Sequence, residues 1–284
     1  MTKKQQLFKK VTNILRAARV PTHLNHFGPK KYCTAQLVLG LAVREAYQLS
    51  YRRASIFLEE WADIQIHWTT LQKFCKRVSI TLWQRLLRAS AQTESILAAI
   101  DATGFSRSNP SFHYLRRING QTPSAPVKLS AMIDISSRRV LSAHVRIRAR
   151  HDTKDALGLV RAAHKKPWSI VMDKGYDSEP LLQKLDSLGV WGVTPPRKNA
   201  KKGWLRKKLL RSFPKGTYNQ RSVIEAVFSS IKRLYGGHVR ARKARGARAE
   251  VYMKLILYNL IASLLEDFLQ SSQLHKVLFM NIHQ

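Results

Sequence analysis

Three carboxylates stand out in this 284-residue chain by their type and setting. Asp101 closes a short apolar run, Ile96-Leu97-Ala98-Ala99-Ile100, and Asp173 closes another, Trp168 to Met172. Each run predicts a buried strand ending at its aspartate, where side chains emerge from a sheet into a crevice. A glycine follows each within three residues, Gly104 and Gly175, and lets the backbone turn sharply near a ligand. A lone aspartate in such a place is ordinarily a turn former or a cap; the matched contexts set this pair apart. Glu225 is the third. From Ser187 to Ala249 the chain carries 17 Lys and Arg and one acid, Glu225. It lies on an amphipathic stretch with Ile224, Val227, Phe228 and Ile231. A surface ion pair there would contribute little, and an unneutralised anion inside a phosphate-binding surface would repel its ligand. A divalent cation removes the conflict. Three carboxylates suit Mg2+, which wants oxygen ligands in near-octahedral geometry, with Mn2+ able to substitute. Two such ions about 3.5–4 Å apart clamp the attacking and leaving oxygens of an in-line phosphoryl displacement. Water cutting a phosphodiester would leave a 3′-hydroxyl, which can attack a second one.

Composition points to the same substrate. Fifty Lys and Arg against 17 Asp and Glu give a formal charge of +33, a self-repulsion that a polyanion relieves. Nucleic acid fits, because neutralising phosphates releases counterions; a ribosomal-type structural protein or a peripheral membrane protein are the bland alternatives. Two cysteines, Cys33 and Cys75, are too few for a disulfide framework or a four-cysteine zinc site, and a reduced compartment is expected. Neither a signal peptide nor a membrane span is expected, so the reading is a soluble, cytoplasmic protein.

The elements that must position the carboxylates follow from periodicity. Residues 1–95 read as helical, with Ala35–Tyr47, Tyr51–Trp61 and Thr70–Leu87 each carrying apolar residues at three- and four-residue intervals, and Thr69 or Thr70 capping the last. Basic positions such as Lys73, Lys76 and Arg77 suggest a helix-turn-helix-like DNA-binding unit. After Ser95 come strands at Ile96–Ile100, His113–Ile118, Val127–Ile135 and Val140–Ile147, the last two forming a hairpin through Ser136–Arg139. A helix over Asp152–His164, a strand over Trp168–Met172, a helix over Pro180–Leu188 and a strand over Val190–Thr194 follow. Ser222–Tyr235 is a helix closed by Gly236-Gly237. This order predicts an α/β fold with a mixed sheet flanked by helices, preceded by a small all-α region. The expected division is 1–95 helical, 96–270 catalytic and 271–284 a tail.

With these elements in place, Tyr218, Arg221, Glu225 and Lys232 fit the pattern Y-x2-R-x3-E-x6-K. Together with Asp101 and Asp173, they resemble the signature of the DDE transposases of bacterial and archaeal insertion sequences. The resemblance spans roughly residues 96–264 and includes Tyr258-Asn259. It implies an RNase H-like core, metal ligation by Asp101, Asp173 and Glu225, and contacts of Tyr218, Arg221 and Lys232 with transposon-end DNA. It also implies cleavage at terminal inverted repeats, strand transfer into double-stranded target DNA, and a homodimer in the synaptic complex. Arg221 and Lys232 share a helix face with Glu225, so both cations could grip phosphates beside the metals. One departure is the interval from Asp173 to Glu225, 225 − 173 = 52 residues. It has no room for the β-rich insertion some relatives carry. The basic segment there, with Lys198, Lys201, Lys202, Arg206, Lys207 and Lys208, is read as phosphate contacts, joined by Lys174, and Trp204 as a surface for stacking on a base.

Other patterns carry less. His151-Asp152 could be a metal or acid–base pair, but a helix follows and Asp152 or Thr153 is expected to cap it. Asp177 is read as support for the loop after Asp173, and Asp134 as structural. His113-x-x-Arg116 matches a fragment of the tyrosine recombinase pattern with two fixed positions only. No phosphate-cradling GxxxxGK[ST] loop occurs, so no ATP use is expected. The rivals to a transposase are a nuclease or resolvase with the same core and a basic, non-catalytic DNA-binding regulator.

Overall fold

The computed structural model describes residues 3–281 except 25–26, 28, 92, 108–116, 118–125, 149 and 198–201, with side chains described from 5 to 267. Five helices come first: α1 (Lys3–Ala17), α2 (Thr34–Ala46), α3 (Tyr51–Ala62), α4 (Trp68–Arg77) and α5 (Ile80–Ala91). The single helix expected over Thr70–Leu87 is two, because Ser79 accepts from the Leu82 N–H at 3.1 Å and starts a new helix. Nor do Thr69 and Thr70 cap α4. The His67 ring takes that place, accepting from the Thr69 N–H at 3.4 Å.

The sheet follows: β1 (Leu97–Arg107), β2 (Val127–Asp134), β3 (Val140–Arg146), α6 (Thr153–Ala162), β4 (Ser169–Met172), a 3-10 turn (Lys174–Tyr176), α7 (Glu179–Asp186) and β5 (Trp191–Val193). Then come α8 (Trp204–Arg211), α9 (Lys215–Asn219), α10 (Ser222–Tyr235), β6 (His238–Val239) and α11 (Ala244–Asn281). The strand order is β3-β2-β1-β4-β5, with β1, β2 and β3 antiparallel, β4 and β5 parallel to β1, and β6 beside the far end of β1. The strand expected over His113–Ile118 lies, apart from Arg117, outside the described residues.

Alternation along β1 assigns its two faces. Ala98 and Ile100 pack with Leu159, Met172 and Leu185 under α6 and α7. Ala99 and Phe105 face the other way, into a core shared with Ile224 and Ile231 of α10 and Val251 and Leu255 of α11. Asp101 has the parity of this second face. Ser169–Met172 is buried throughout, as a strand covered on both sides must be.

Residue 95 is not a break in the packing. Val11, Leu15, Val38 and Leu86 of the first helices share the core of α10 and α11. Helix α11 is buried almost all round from Ala247 to Leu260 because α2, α5 and β3 enclose it, and its helical course continues past residue 270. Asn259 on this helix accepts from the Val140 N–H and donates to the Val140 carbonyl, both at 2.9 Å. It thereby pairs the edge strand β3 as a neighbouring strand would.

Candidate active site

β1 does not stop at Asp101. It continues to Arg107, because β2 pairs with it from Ala98 to Phe105 while β4 ends at Met172. Asp101 therefore stands mid-strand, where the parallel partner gives out. The register of β1 with β4 ends at Ile100↔Met172. One step further along the same register Asp173 leaves β4 beside Asp101, at about the 5 Å spacing of neighbouring strands. The Asp173 backbone is fixed by two contacts: its carboxylate accepts from the Gly175 N–H at 2.6 Å, and its carbonyl accepts from the Thr194 hydroxyl at 2.7 Å. A Cβ at residue 175 would meet the Asp173 Oδ1 at 2.8 Å, so a side chain there would push the Asp173 carboxylate aside.

Glu225 arrives on α10, whose buried face of Ile224, Val227, Phe228, Ile231 and Tyr235 packs on β1 and leaves Glu225 exposed at its edge. Arg221 joins the two. Its Nη1 donates to Asp101 Oδ2 at 2.9 Å and its Nη2 to Glu225 Oε1 at 2.6 Å. Asp101 also accepts from the Ala102 N–H at 2.8 Å. Burial pushes the Asp101 carboxyl above its ordinary range, and the Asp173 and Glu225 carboxylates add to the rise; the Ala102 N–H and Arg221 oppose it.

Two turns along α10, Lys232 donates to the Thr103 hydroxyl at 2.7 Å and lies 5.7 Å from the centre of the Phe105 ring. Asp101, Thr103 and Phe105 are alternate residues of one strand face, so one helix reads them in order. Lys232 is held below the ordinary lysine range by burial, with no carboxylate against it among the described residues. Behind it Lys254, 2% exposed, donates to the Gly236 and His238 carbonyls at 2.8 and 2.7 Å. Tyr218 lies on α9 with its ring 5.2 Å from that of Phe213, and its carbonyl accepts from the Arg221 N–H at 2.9 Å. Lys174 is exposed beside Asp173.

The basic segment divides. Lys198 and Lys201 lie outside the described residues. Lys202, Lys207 and Lys208 are exposed, and Trp204 is 59% exposed at the start of α8. Arg206 is committed elsewhere: it grips Asp177 with Nε at 2.7 Å and Nη2 at 2.6 Å. Asp177, fully buried at its side chain, also accepts from the Arg197 N–H at 2.8 Å, so it supports the loop after Asp173 by anchoring Arg206. Asp134 accepts from Ser95, Ser136 and the Ser137 N–H at 2.6 to 2.7 Å and stabilises the hairpin turn. Asp152 makes no cap bond; it pairs with Lys128, while His151 engages the Thr153 hydroxyl at 2.8 Å. Thr103, Thr194 and Lys254 gave no sequence signal, since their roles come from register and packing.

Among the described residues no three His, Cys, Asp or Glu side chains already converge as a metal cage. The donor set nevertheless fits one. A guanidinium stands between Asp101 and Glu225 as the cation that two carboxylates need, and it sits on a flexible side chain that can leave.

Asp101 and Asp173 thus stand where the parallel partner of β1 ends and its antiparallel partner runs on, in a mixed sheet flanked by helices. Residues 92–260, more than half the chain, match the model of the transposase DDE domain, and the chain belongs to that family as an enzyme of DNA transposition. Among solved structures it is similar to a piggyBac transposase in a synaptic complex with hairpin DNA, with TM-score 0.52 and 9% identity over 92% of this chain and 74% of that one. It also resembles a Drosophila P element transposase strand transfer complex, with TM-score 0.33 and 10% identity over 89% and 71%. The first likeness is one of fold. Between Asp173 and Glu225 the described residues hold α7, β5, α8 and α9 and no β-rich insertion. No described helix is long and apolar enough to cross a membrane.

Proposed function

We propose that this enzyme cuts DNA at the ends of its own element and joins the freed 3′-hydroxyl to target DNA, with Asp101, Asp173 and Glu225 holding two Mg2+ ions. The observation that carries the reading is the meeting of Asp101 and Glu225, 225 − 101 = 124 residues apart, on one guanidinium beside Asp173. Bound there, the metal pair supplies Lewis-acid stabilisation at the attacking and leaving oxygens. The chain's own residues do the rest. Gly175 and Thr194 fix the Asp173 backbone, and the Ala102 N–H orients Asp101. Arg221, released from its carboxylates, is positioned to take a phosphate flanking the cut, and Lys232 a second one about three turns along. Tyr218, Lys174, Lys202 and Lys207, with Lys198 and Lys201, extend the contact with the duplex. The bound DNA comprises terminal inverted repeats and target, two copies of the chain pair the ends, and no ATP is consumed. The setting is a prokaryotic cytoplasm, at the nucleoid.

The test supplies a 3′-hydroxyl donor end and plasmid target with Mg2+. Joined product is expected. Cut product alone would make the chain a nuclease or resolvase, and DNA binding without either would make it a regulator. Asp101→Ala, Asp173→Ala and Glu225→Ala should each abolish both steps and spare DNA binding.

A further inference from the structure

A cavity of about 810 Å³ lies where the end of α4 meets the start of α11, and its walls carry Arg44, Lys76, Arg240, Arg242, Lys243 and Arg245. Two buried carboxylates, Glu45 and Glu250, oppose these six cations, and both are already engaged. Glu45 takes Arg44 and Arg240; Glu250 takes the Arg240 Nε at 3.4 Å and the N–H groups of Arg240 and Ala241 at 3.0 and 3.1 Å. Four positive charges are left over. Lys76, Arg242 and Lys243 have no ion-pair partner among the described residues, and Arg245 reaches only the Arg77 carbonyl at 3.2 Å.

One group marks this as a built site. Arg44 is 6% exposed, lies 4.2 Å from the Tyr51 ring centre, and leaves its buried Nε–H without an acceptor. A buried donor left unsatisfied is costly, and this one belongs to a wall of the cavity already rich in cations. The cations also form a band. Across the first turns of α11 a second cavity of about 710 Å³ is lined by Arg148, Arg150 and Arg248. A point cluster suits a small anion, whereas a band suits a polymer of phosphates.

Its place relative to the carboxylates follows from β1. Six residues separate Asp101 from Arg107, about 20 Å of strand. Ser106 and Arg107 pair with His238 and Val239, and Arg240 comes next. We propose that this cavity is a second DNA-backbone site, gripping phosphates about 20 Å from the catalytic carboxylates, roughly six base pairs along the same duplex. The assignment of DNA as ligand rests on the proposed function; the cavity's role as an anion site does not.

The experiment measures anisotropy-based affinity for duplexes extended stepwise from the cut end, with wild type and the Lys76→Gln/Arg242→Gln/Lys243→Gln variant. Wild-type affinity is expected to rise at least about tenfold once the duplex passes roughly six base pairs. The variant should lose that rise and up to about three units of log–log salt slope, while short-duplex affinity, which also reports intact folding, stays unchanged. A variant that matches wild type at every length overturns the proposal. So does micromolar binding of inorganic phosphate, by calorimetry, that disappears in the variant without any change in length dependence. Asp101→Asn separates the two readings: it should lose cleavage and keep the length-dependent rise.

Discussion

Asp101 and Arg221 are hydrogen-bonded at 2.9 Å, and the same guanidinium reaches Glu225 at 2.6 Å. A cation supplied by the chain thus occupies ground that a divalent metal would need under the proposed function. All three side chains are partly solvent-exposed, so the contact contributes only about 1 kcal/mol, a bias rather than a lock. Arg221→Gln should therefore tighten Mn2+ binding about fivefold in DNA-free protein, read by electron paramagnetic resonance, and weaken affinity for transposon-end DNA. Unchanged metal affinity would mean that Arg221 does not compete with the ions.

The second prediction concerns the edge of the sheet. Asn259 holds both backbone groups of Val140 at 2.9 Å and the Ser90 hydroxyl at 3.0 Å from a wholly buried position. Asn259→Leu fills a similar volume but leaves buried polar groups without partners, at about 3 kcal/mol in all. The melting temperature should fall by roughly 6–12 °C. A fall of under about 2 °C would show that β3 does not depend on this clamp.

Arg206 and Lys207 are neighbours with opposite expected phenotypes. Removing Arg206 strands the Asp177 carboxylate, buried and left with the Arg197 N–H. Discounted for the partial exposure of Arg206, Arg206→Ala should cost about 2 kcal/mol of stability. Lys207→Ala should leave the melting temperature within about 1 °C and lower the DNA salt slope by about one unit. The same shift in both measurements for both variants would erase the distinction.

That contrast shows where sequence reading reaches and where it ends. The helix Ser222–Tyr235 and its glycine stop were legible to the residue, because periodicity and punctuation are local. β2, β3 and the buried run before Asp173 were legible to within one residue at an end. Asp101 at a strand end was not: β1 runs on to Arg107 only because β2 lies alongside, a fact of pairing absent from the run itself. Arg206 looked like its basic neighbours, and only the fold, by burying Asp177 29 residues away, singles it out. The break between α4 and α5 hung on one serine hydroxyl. The spacing of Arg221 points to DNA, and nothing in it tells that Asp101 holds the guanidinium in the DNA-free protein.

Asp101 also contributes to the pH dependence of stability. Its folded carboxyl is raised, chiefly by burial and further by Asp173 and Glu225. The sign follows from linkage: the folded state binds this proton more tightly than the unfolded chain, so ionised Asp101 destabilises the metal-free fold at neutral pH. The penalty disappears as pH falls through the raised value towards the ordinary aspartate value of about 3.9. Asp101→Asn removes the charge, keeps an oxygen for the Ala102 N–H, and leaves Arg221 with Glu225. In chelator at pH 7 its melting temperature should equal or exceed that of wild type, and the difference should shrink on acidification, while cleavage is lost. Destabilisation beyond about 1 kcal/mol at pH 7 would show that Asp101 supports the fold rather than straining it for the sake of the metal.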